Sequence, residues 1–407
     1  MTTGRAPEGP RWEPATKVAD EELKASGAAL RSLSCASDLI VTSSSRPVVK
    51  VWQVAEASLS EARKLSILEG HGAVGSSCVE VSGPGDRQLV AVCYDDGGIG
   101  LWDLRSAGRV GELGASIPQA LKAKFLPGGQ RLVSGGPSGS LCFWDLRKGD
   151  RPEREVGALR SSLSMMKGED RDPAVKRRRT ETKAQHGGGS EGRGALGIDG
   201  RNAASPIFSL AVSADGSMLG CGRGSGAVSV MSLASQEWAR DVSAHWHSGA
   251  NLASVRALAF DLDSRSLLSG GDDNHVCLFD AAAWARRRSH NENRTAQPER
   301  FSAHRGWVTS LSVCPDPARR VCVTTSWDRT VKLWDFSTHA LLHTYKDHTE
   351  SVFDSAFSPD GGRFFATVGV DAQLVLYVAK HEVSRNGAAA KDEKNAFAQV
   401  KVKDREA

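Results

Sequence analysis

Four side chains in the C-terminal third have the types needed to form a chain of hydrogen bonds: His304, the hydroxyl of Thr324, the carboxylate of Asp328 and the indole N–H of Trp334. A histidine between a hydroxyl and a carboxylate is the arrangement of nucleophilic hydrolysis, where the imidazole takes the hydroxyl proton and the carboxylate orients the ring. A catalytic set is needed once, in one pocket. Here it recurs in part, at His71 with Asp96, near His247 with Asp273, and at His348 with Asp371. Repetition favours a structural network that ties a loop, a tight turn and a strand together in each copy. No catalytic residue is assigned, and an enzyme would need a single pocket of converging polar groups that the sequence does not display.

Other chemistry finds no better footing. The eight cysteines contain no CxxC pair and mostly lie in apolar, strand-like runs, so neither zinc nor disulfides are expected. The Gly-rich pieces GPGD, PGG and GGPSG fall between strands, and none opens a helix as a phosphate loop must. No cofactor and no metal are expected. The 52 basic and 48 acidic residues leave a net charge of +4, too even for a surface that coats nucleic acid. Basic charge is local instead: Lys176, Arg177, Arg178 and Arg179 form a candidate nuclear-import signal, and Arg286, Arg287 and Arg288 a second run. Any RNA contact there would be non-specific and steeply salt-dependent, and no aromatics are interleaved for stacking on bases. No apolar run approaches the ~18 residues of a membrane span. The N-terminal MTTGRAPEGPRWEP has no apolar core for secretion, so the expected location is the cytoplasm and nucleus.

The elements that would position these residues repeat. From His304 the chain runs through WVTSLSV, RVCVTTS, the turn SWDRT and VKLWDF; from His348 the same order returns as SVFDSAF, RFFATVG, the turn VDAQ and LVLYV. Each segment alternates, is rich in apolar and β-branched residues, and is bounded by Gly, Pro, Asp or Ser, which reads as a strand. Aligning on Trp334 gives the counterparts Trp52, Trp102, Trp144, Met231, Phe279 and Tyr377, hence seven units. The spacing matches WD-repeat blades of about 40 to 45 residues plus insertions. The fold expected is all-β, a seven-bladed WD-repeat β-propeller.

Residues 28–380 are assigned to the propeller, interrupted at about 150–204 by a polar, Gly-rich basic insertion; 1–27 form an N-terminal extension and 381–407 a tail. The last unit has no fourth strand of its own, so one must come from a terminus. Trp12 to Val18 is the first choice and Phe397 to Val402 the second. Turns before the third strands and entrances to the first strands face one side of a propeller. Trp307, Trp327 and Phe353 occupy such places in adjacent units, and exposed aromatics are the residues most enriched in binding hot spots. They are the candidate partner pocket, with Arg305, Asp272 and Asp95 as polar rim; packing between blades is the alternative use for the three rings.

The stretches LSILEGHGAVGSSCVEVS (65–82) and AHRGWVTSLSVCPDPARRVCVTTSWDRTVKLWDFSTHALLHTYKDHTESVFDSAF (303–357) resemble the WD-repeat subunit of the superkiller (Ski) complex. The likeness covers about 320 residues and rests on overall order, because single WD motifs are widespread. The resemblance implies a non-catalytic scaffold that docks on a tetratricopeptide-repeat subunit beside an RNA helicase, in exosome-dependent cytoplasmic 3′-to-5′ mRNA decay. It also implies a nuclear role with the polymerase-associated factor complex in transcription elongation. A different class is suggested by Trp102-Asp103-Leu104-Arg105 and Trp144-Asp145-Leu146-Arg147. These paired WDxR boxes look like those of substrate receptors for cullin-RING ubiquitin ligases, in which Arg105 and Arg147 would engage the adaptor.

Overall fold

The structure, a computed structural model, describes residues 12–55, 62–69, 74–83, 88–113, 120–148, 152–156, 205–243, 253–281, 283, 298–335 and 337–379. Among these, the strands fall into seven four-stranded antiparallel sheets. The inner strand of each sheet packs on the inner strand of the next, and the seventh packs on the first, so the sheets are the blades of one closed ring. The seven-bladed propeller read from the repeat is the fold observed. Strands are named a to d from the axis outward.

Burial explains why the four strands differ in composition. In blade 6 strand b, Val321–Ser326, is buried at every position because a neighbouring sheet covers each of its faces. Its sequence VCVTTS is accordingly an unbroken run of small apolar and hydroxyl residues rather than an alternating one. Strand d, Ala340–Tyr345, is at the rim, and only Tyr345 is buried. Between blades, contact is close enough to exclude side chains: a Cβ on Gly270 of blade 5 would lie 2.5 Å from Cγ1 of Val308 in blade 6.

The ring closes with residues from the N-terminus. Trp12–Ala19 is strand d of blade 7, antiparallel to Gln373–Ala379, with Trp12 opposite Ala379 and Ala19 opposite Gln373. As the edge strand of its sheet it tolerates Pro14. Trp12 is buried against Phe357 and Phe365, with ring centroids 6.0 and 6.3 Å away, and its carbonyl accepts a 3.0 Å bond from Tyr345 Oη of blade 6. The chain then turns at Asp20, whose N–H donates to the Ala372 carbonyl and whose carboxylate caps the short helix Glu21–Ala25 through Leu23 N. Lys50 of blade 1 completes this buried corner, 2.8 Å from Asp20 Oδ1 and 3.0 Å from Glu22. The segment Phe397 to Val402 lies outside the described residues.

Two boundaries move. Arg154–Val156 falls in the stretch read as an insertion from about residue 150, yet it pairs with Leu141–Phe143 as strand d of blade 3. Its sequence REV is too short and too charged to announce itself. Likewise Glu299–Ser302, at the end of the Arg-rich stretch 285–300 whose sequence reads as a loop, is strand d of blade 5. Both are rim strands, where one face meets water and charged residues are tolerated.

Candidate functional site

Strand a carries one extra residue in six blades. The register slips between Leu30 and Ser32, Ser76 and Cys78, Ile207 and Ser209, Val255 and Ala257, Val308 and Ser310, and Val352 and Asp354. Such bulges re-aim a side chain, here Arg31, Ser77, Phe208, Arg256, Thr309 and Phe353. Beside them, the turn between strands b and c begins with Ser45, Asp95, Gly224, Asp272, Trp327 and Val370, each donating its N–H to the residue before strand a. In blade 6 that pair is Trp327 and Trp307.

These positions form an arc on one face of the ring. The Trp307 and Trp327 rings lie 5.1 Å apart, and Trp327 lies 5.9 Å from Phe353 of blade 7. The guanidinium of Arg256 stands 4.9 Å from the Trp307 ring and 5.5 Å from Phe208 of blade 4, and Asp272 holds it through both carboxylate oxygens. Trp307 is 39% and Trp327 49% exposed. The sequence reading missed Phe208 and Arg256; the signal was available in their place as the second residue of strand a, once the bulge is recognised. It placed Asp95 on the same rim, but Asp95 pairs with Arg31 at 2.7 Å, at the blade 1 end of the arc and away from the tryptophans. Arg305 is exposed beside Trp307, and its backbone N–H donates to Asp328.

Beneath the arc lies the histidine network. In blade 6 Trp334 Nε1 donates to Thr324 Oγ1 at 2.8 Å, Thr324 lies 2.8 Å from His304 Nε2, and His304 Nδ1 lies 3.1 Å from Asp328. A neutral imidazole protonated on Nδ1 satisfies every member: Thr324 donates to Nε2, and Nδ1–H donates to the carboxylate. Burial pushes the His304 imidazole below its ordinary range, against the pull of Asp328. Burial alone would raise the Asp328 carboxyl, but bonds from His304, Thr330 and the Arg305 N–H outweigh it and hold it below the usual carboxylate range. Blade 7 repeats the set, with His348 2.8 Å from Thr367 and 3.1 Å from Asp371. Tyr377 stands there in place of tryptophan and donates to Asp347. Every polar atom in these chains is committed to another, and the hydroxyl is buried beneath the tryptophan, so no nucleophile faces a substrate.

Other blades show parts of the network among the described residues. Trp52, Trp102 and Trp144 keep a hydroxyl partner in Thr42, Tyr94 and Ser134. Asp273 of blade 5 receives Arg300 at 2.8 Å. Asp96 accepts from Gly98 N, while His71 and His247 lie outside the described residues, as do Lys176 to Arg179 and Arg286 to Arg288. The two WDxR arginines differ from each other: Arg147 folds back onto both oxygens of its own Asp145, whereas Arg105 is exposed and Asp103 caps its turn. Among the described residues no cluster of three or more His, Cys, Asp or Glu is placed to hold a metal, and no helix is long and apolar enough to cross a membrane.

Comparison with known proteins agrees with this geometry. The WD domain, G-beta repeat family matches residues 62–103, 242–280, 296–335 and 339–377. The chain is 30% identical over 121 residues to a ribosome biogenesis protein WDR12 homolog of Nematostella vectensis, covering 30% of this chain and 26% of that protein. It is 35% identical over 74 residues to small ribosomal subunit protein RACK1y of Oryza sativa subsp. japonica, 18% of this chain and 22% of that one. It is 33% identical over 95 residues to WD repeat-containing protein 18 of Bos taurus, 22% and 21% of the two chains. The matched segments thus span about a quarter of each relative. WD-repeat propellers are typically non-catalytic scaffolds for protein–protein interaction, and four recurring motifs on seven closed blades identify this chain as a WD-repeat protein.

Proposed function

We propose that this propeller is the docking subunit of a multi-protein assembly, and that it captures a segment of its partner on the arc from Phe208 to Phe353. One observation carries the reading: Trp307 and Trp327 are half-exposed, in contact with each other, and backed by an Arg256 that Asp272 already neutralises. Large rings left in water are the anatomy of a hot spot, and the pairing of Arg256 with Asp272 leaves no unopposed charge between Phe208 and Trp307. The assembly we infer is of superkiller type, with a tetratricopeptide-repeat scaffold and an RNA helicase as partners, acting in the cytoplasm and also in the nucleus with the polymerase-associated factor complex. The order of residues in 65–82 and 303–357 supports this.

The test is affinity purification of the tagged chain from its own cells, with mass spectrometry of what is recovered, in wild type and in Trp307→Ala. Recovery of a tetratricopeptide-repeat protein with a helicase, lost in the variant, is the expected result. Recovery of a cullin adaptor, dependent on Arg105 and Arg147, would replace this assignment with the ubiquitin-ligase one. Recovery of neither set would leave a WD-repeat scaffold with another partner.

A further inference from the structure

The axis of the ring is an open channel of about 920 Å³, against roughly 30 Å³ for one water in the liquid. One thiol on its wall, that of Cys78, has no part in partner docking, and a second, Cys93, lies beside it in the same sheet. Strand a of blade 2, Ser76–Val81, lies beside strand b, Leu89–Tyr94, in a register that sets Cys78 directly opposite Cys93. Residues directly opposite in an antiparallel ladder share a face and have Cα atoms about 4.5 to 5.5 Å apart. That falls inside the roughly 4.4 to 6.8 Å a disulfide spans. Cys93 is fully buried, while Cys78 lies on the channel wall.

The surroundings single out Cys78. Lys122 opposes Gly135 in blade 3 as Cys78 opposes Cys93 in blade 2, so the two residues occupy the same level on adjacent inner strands. Lys124, one step further along, is taken up by Glu80 at 2.6 Å. Asp354, the carboxylate at the same level across the channel, is occupied by Ser32, Ser310 and the N–H groups of Leu33 and Ser355. No described carboxylate forms an ion pair with Lys122, whose charge favours the thiolate. Cys93 opposite it, with help from the charges of Lys122 and Lys124, draws the Cys78 thiol down against burial, while the same pairing and burial drive Cys93 up; Cys78 Sγ lies 3.9 Å from the Val79 carbonyl. Burial pushes Cys142 up to about 11 and Cys277 and Cys322 to about 12.

We propose that Cys78 and Cys93 are a peroxide-reactive pair, in which Cys78 attacks and Cys93 resolves. The Cys78 thiolate bonds to one oxygen of hydrogen peroxide, the O–O bond breaks, and the departing hydroxide takes the proton released by the thiol. This leaves a sulfenic acid on Cys78 and one water. The Cys93 sulfur then attacks Cys78 Sγ, its proton leaves with the sulfenic hydroxyl as a second water, and the S–S bond forms. Two thiols and one peroxide become one disulfide and two waters, with two electrons passing from sulfur to oxygen. The bridge would fasten the inner strand of blade 2 to its neighbour without altering the register already present.

The full chain is exposed to hydrogen peroxide under native conditions, alkylated, digested and mapped by mass spectrometry. The expected product is a peptide joined through Cys78 and Cys93 and lighter by two hydrogens, forming at least about tenfold faster than any oxidation of Cys322, as expected for a thiolate beside cations. In Cys93→Ser, oxidation should stop at a Cys78 sulfenic acid that dimedone traps; in Cys78→Ser, Cys93 should stay alkylatable. Wild-type Cys78 and Cys93 that oxidise no faster than Cys322, or join other cysteines, would overturn the proposal. So would a Cys93 that reacts at the wild-type rate in Cys78→Ser.

Discussion

Blades 6 and 4 have the same four strands in the same order, and hold them together by opposite means. In blade 6 a buried chain of hydrogen bonds runs from Trp334 through Thr324 and His304 to Asp328. In blade 4 the tryptophan's place is taken by Met231, and Arg223 reaches inward, 2% exposed. Arg223 donates to Ser229 at 2.7 Å and lies 5.1 Å from the Trp238 ring, with its Nη2 unpartnered among the described residues. Packing of apolar faces is therefore enough to form a blade. The histidine network adds a defined position for the loop that enters strand a, and that loop carries Trp307.

The sharpest test of this contrast is His304→Ala. It leaves the half-buried Asp328 and the buried Thr324 without their partner, and should cost about 3 kcal/mol in chemical denaturation. Thr324→Val strands only the Trp334 N–H and one imidazole nitrogen, so a loss of about 2 kcal/mol is expected. Arg223→Met, by contrast, removes a buried cation for which no carboxylate partner is found among the described residues. It should change stability by less than about 1 kcal/mol in either direction, and a loss equal to that of His304→Ala would erase the distinction between the two blades.

Acid sharpens the same comparison. Because the folded imidazole of His304 lies below its ordinary value of 6.5, the unfolded chain binds its proton first as pH falls. Stability from this group is complete above 6.5 and is lost below it, down to the folded value, where the loss levels off. The depressed Asp328 carboxyl adds a second loss below its ordinary value of 3.8. Denaturation midpoints followed from pH 8 to 5 should fall in the wild type, and Thr324→Val, which loosens the His304 site, should flatten the slope.

The smallest effect concerns the tight turn. Its third residue is left-handed in both blades, Gly226 at φ 78° and Arg329 at φ 69°. Only glycine adopts that conformation without steric cost. Arg329→Gly should be neutral or stabilising by up to about 1 kcal/mol, whereas Gly226→Ala should destabilise by about 1 kcal/mol, both read from thermal unfolding.

Much of this was legible in the sequence because it is local and repeated. The period of apolar positions, the tight turns and the tryptophan counterparts follow from strand geometry within a single unit, and they determine seven blades and the residues of the blade 6 network. Rim strands such as Arg154–Val156 were not legible, since an exposed edge places almost no demand on residue type. Tertiary structure alone decided which terminus closes the ring, because the pairing of Trp12–Ala19 with Gln373–Ala379 joins segments over 350 residues apart and depends on Trp12 filling the seam between blades 6 and 7. It alone decided that Phe208 and Arg256 join the tryptophans, and that Asp95 does not. The bulge that turns each of those side chains to the face exists only once strand a has a partner to slip against.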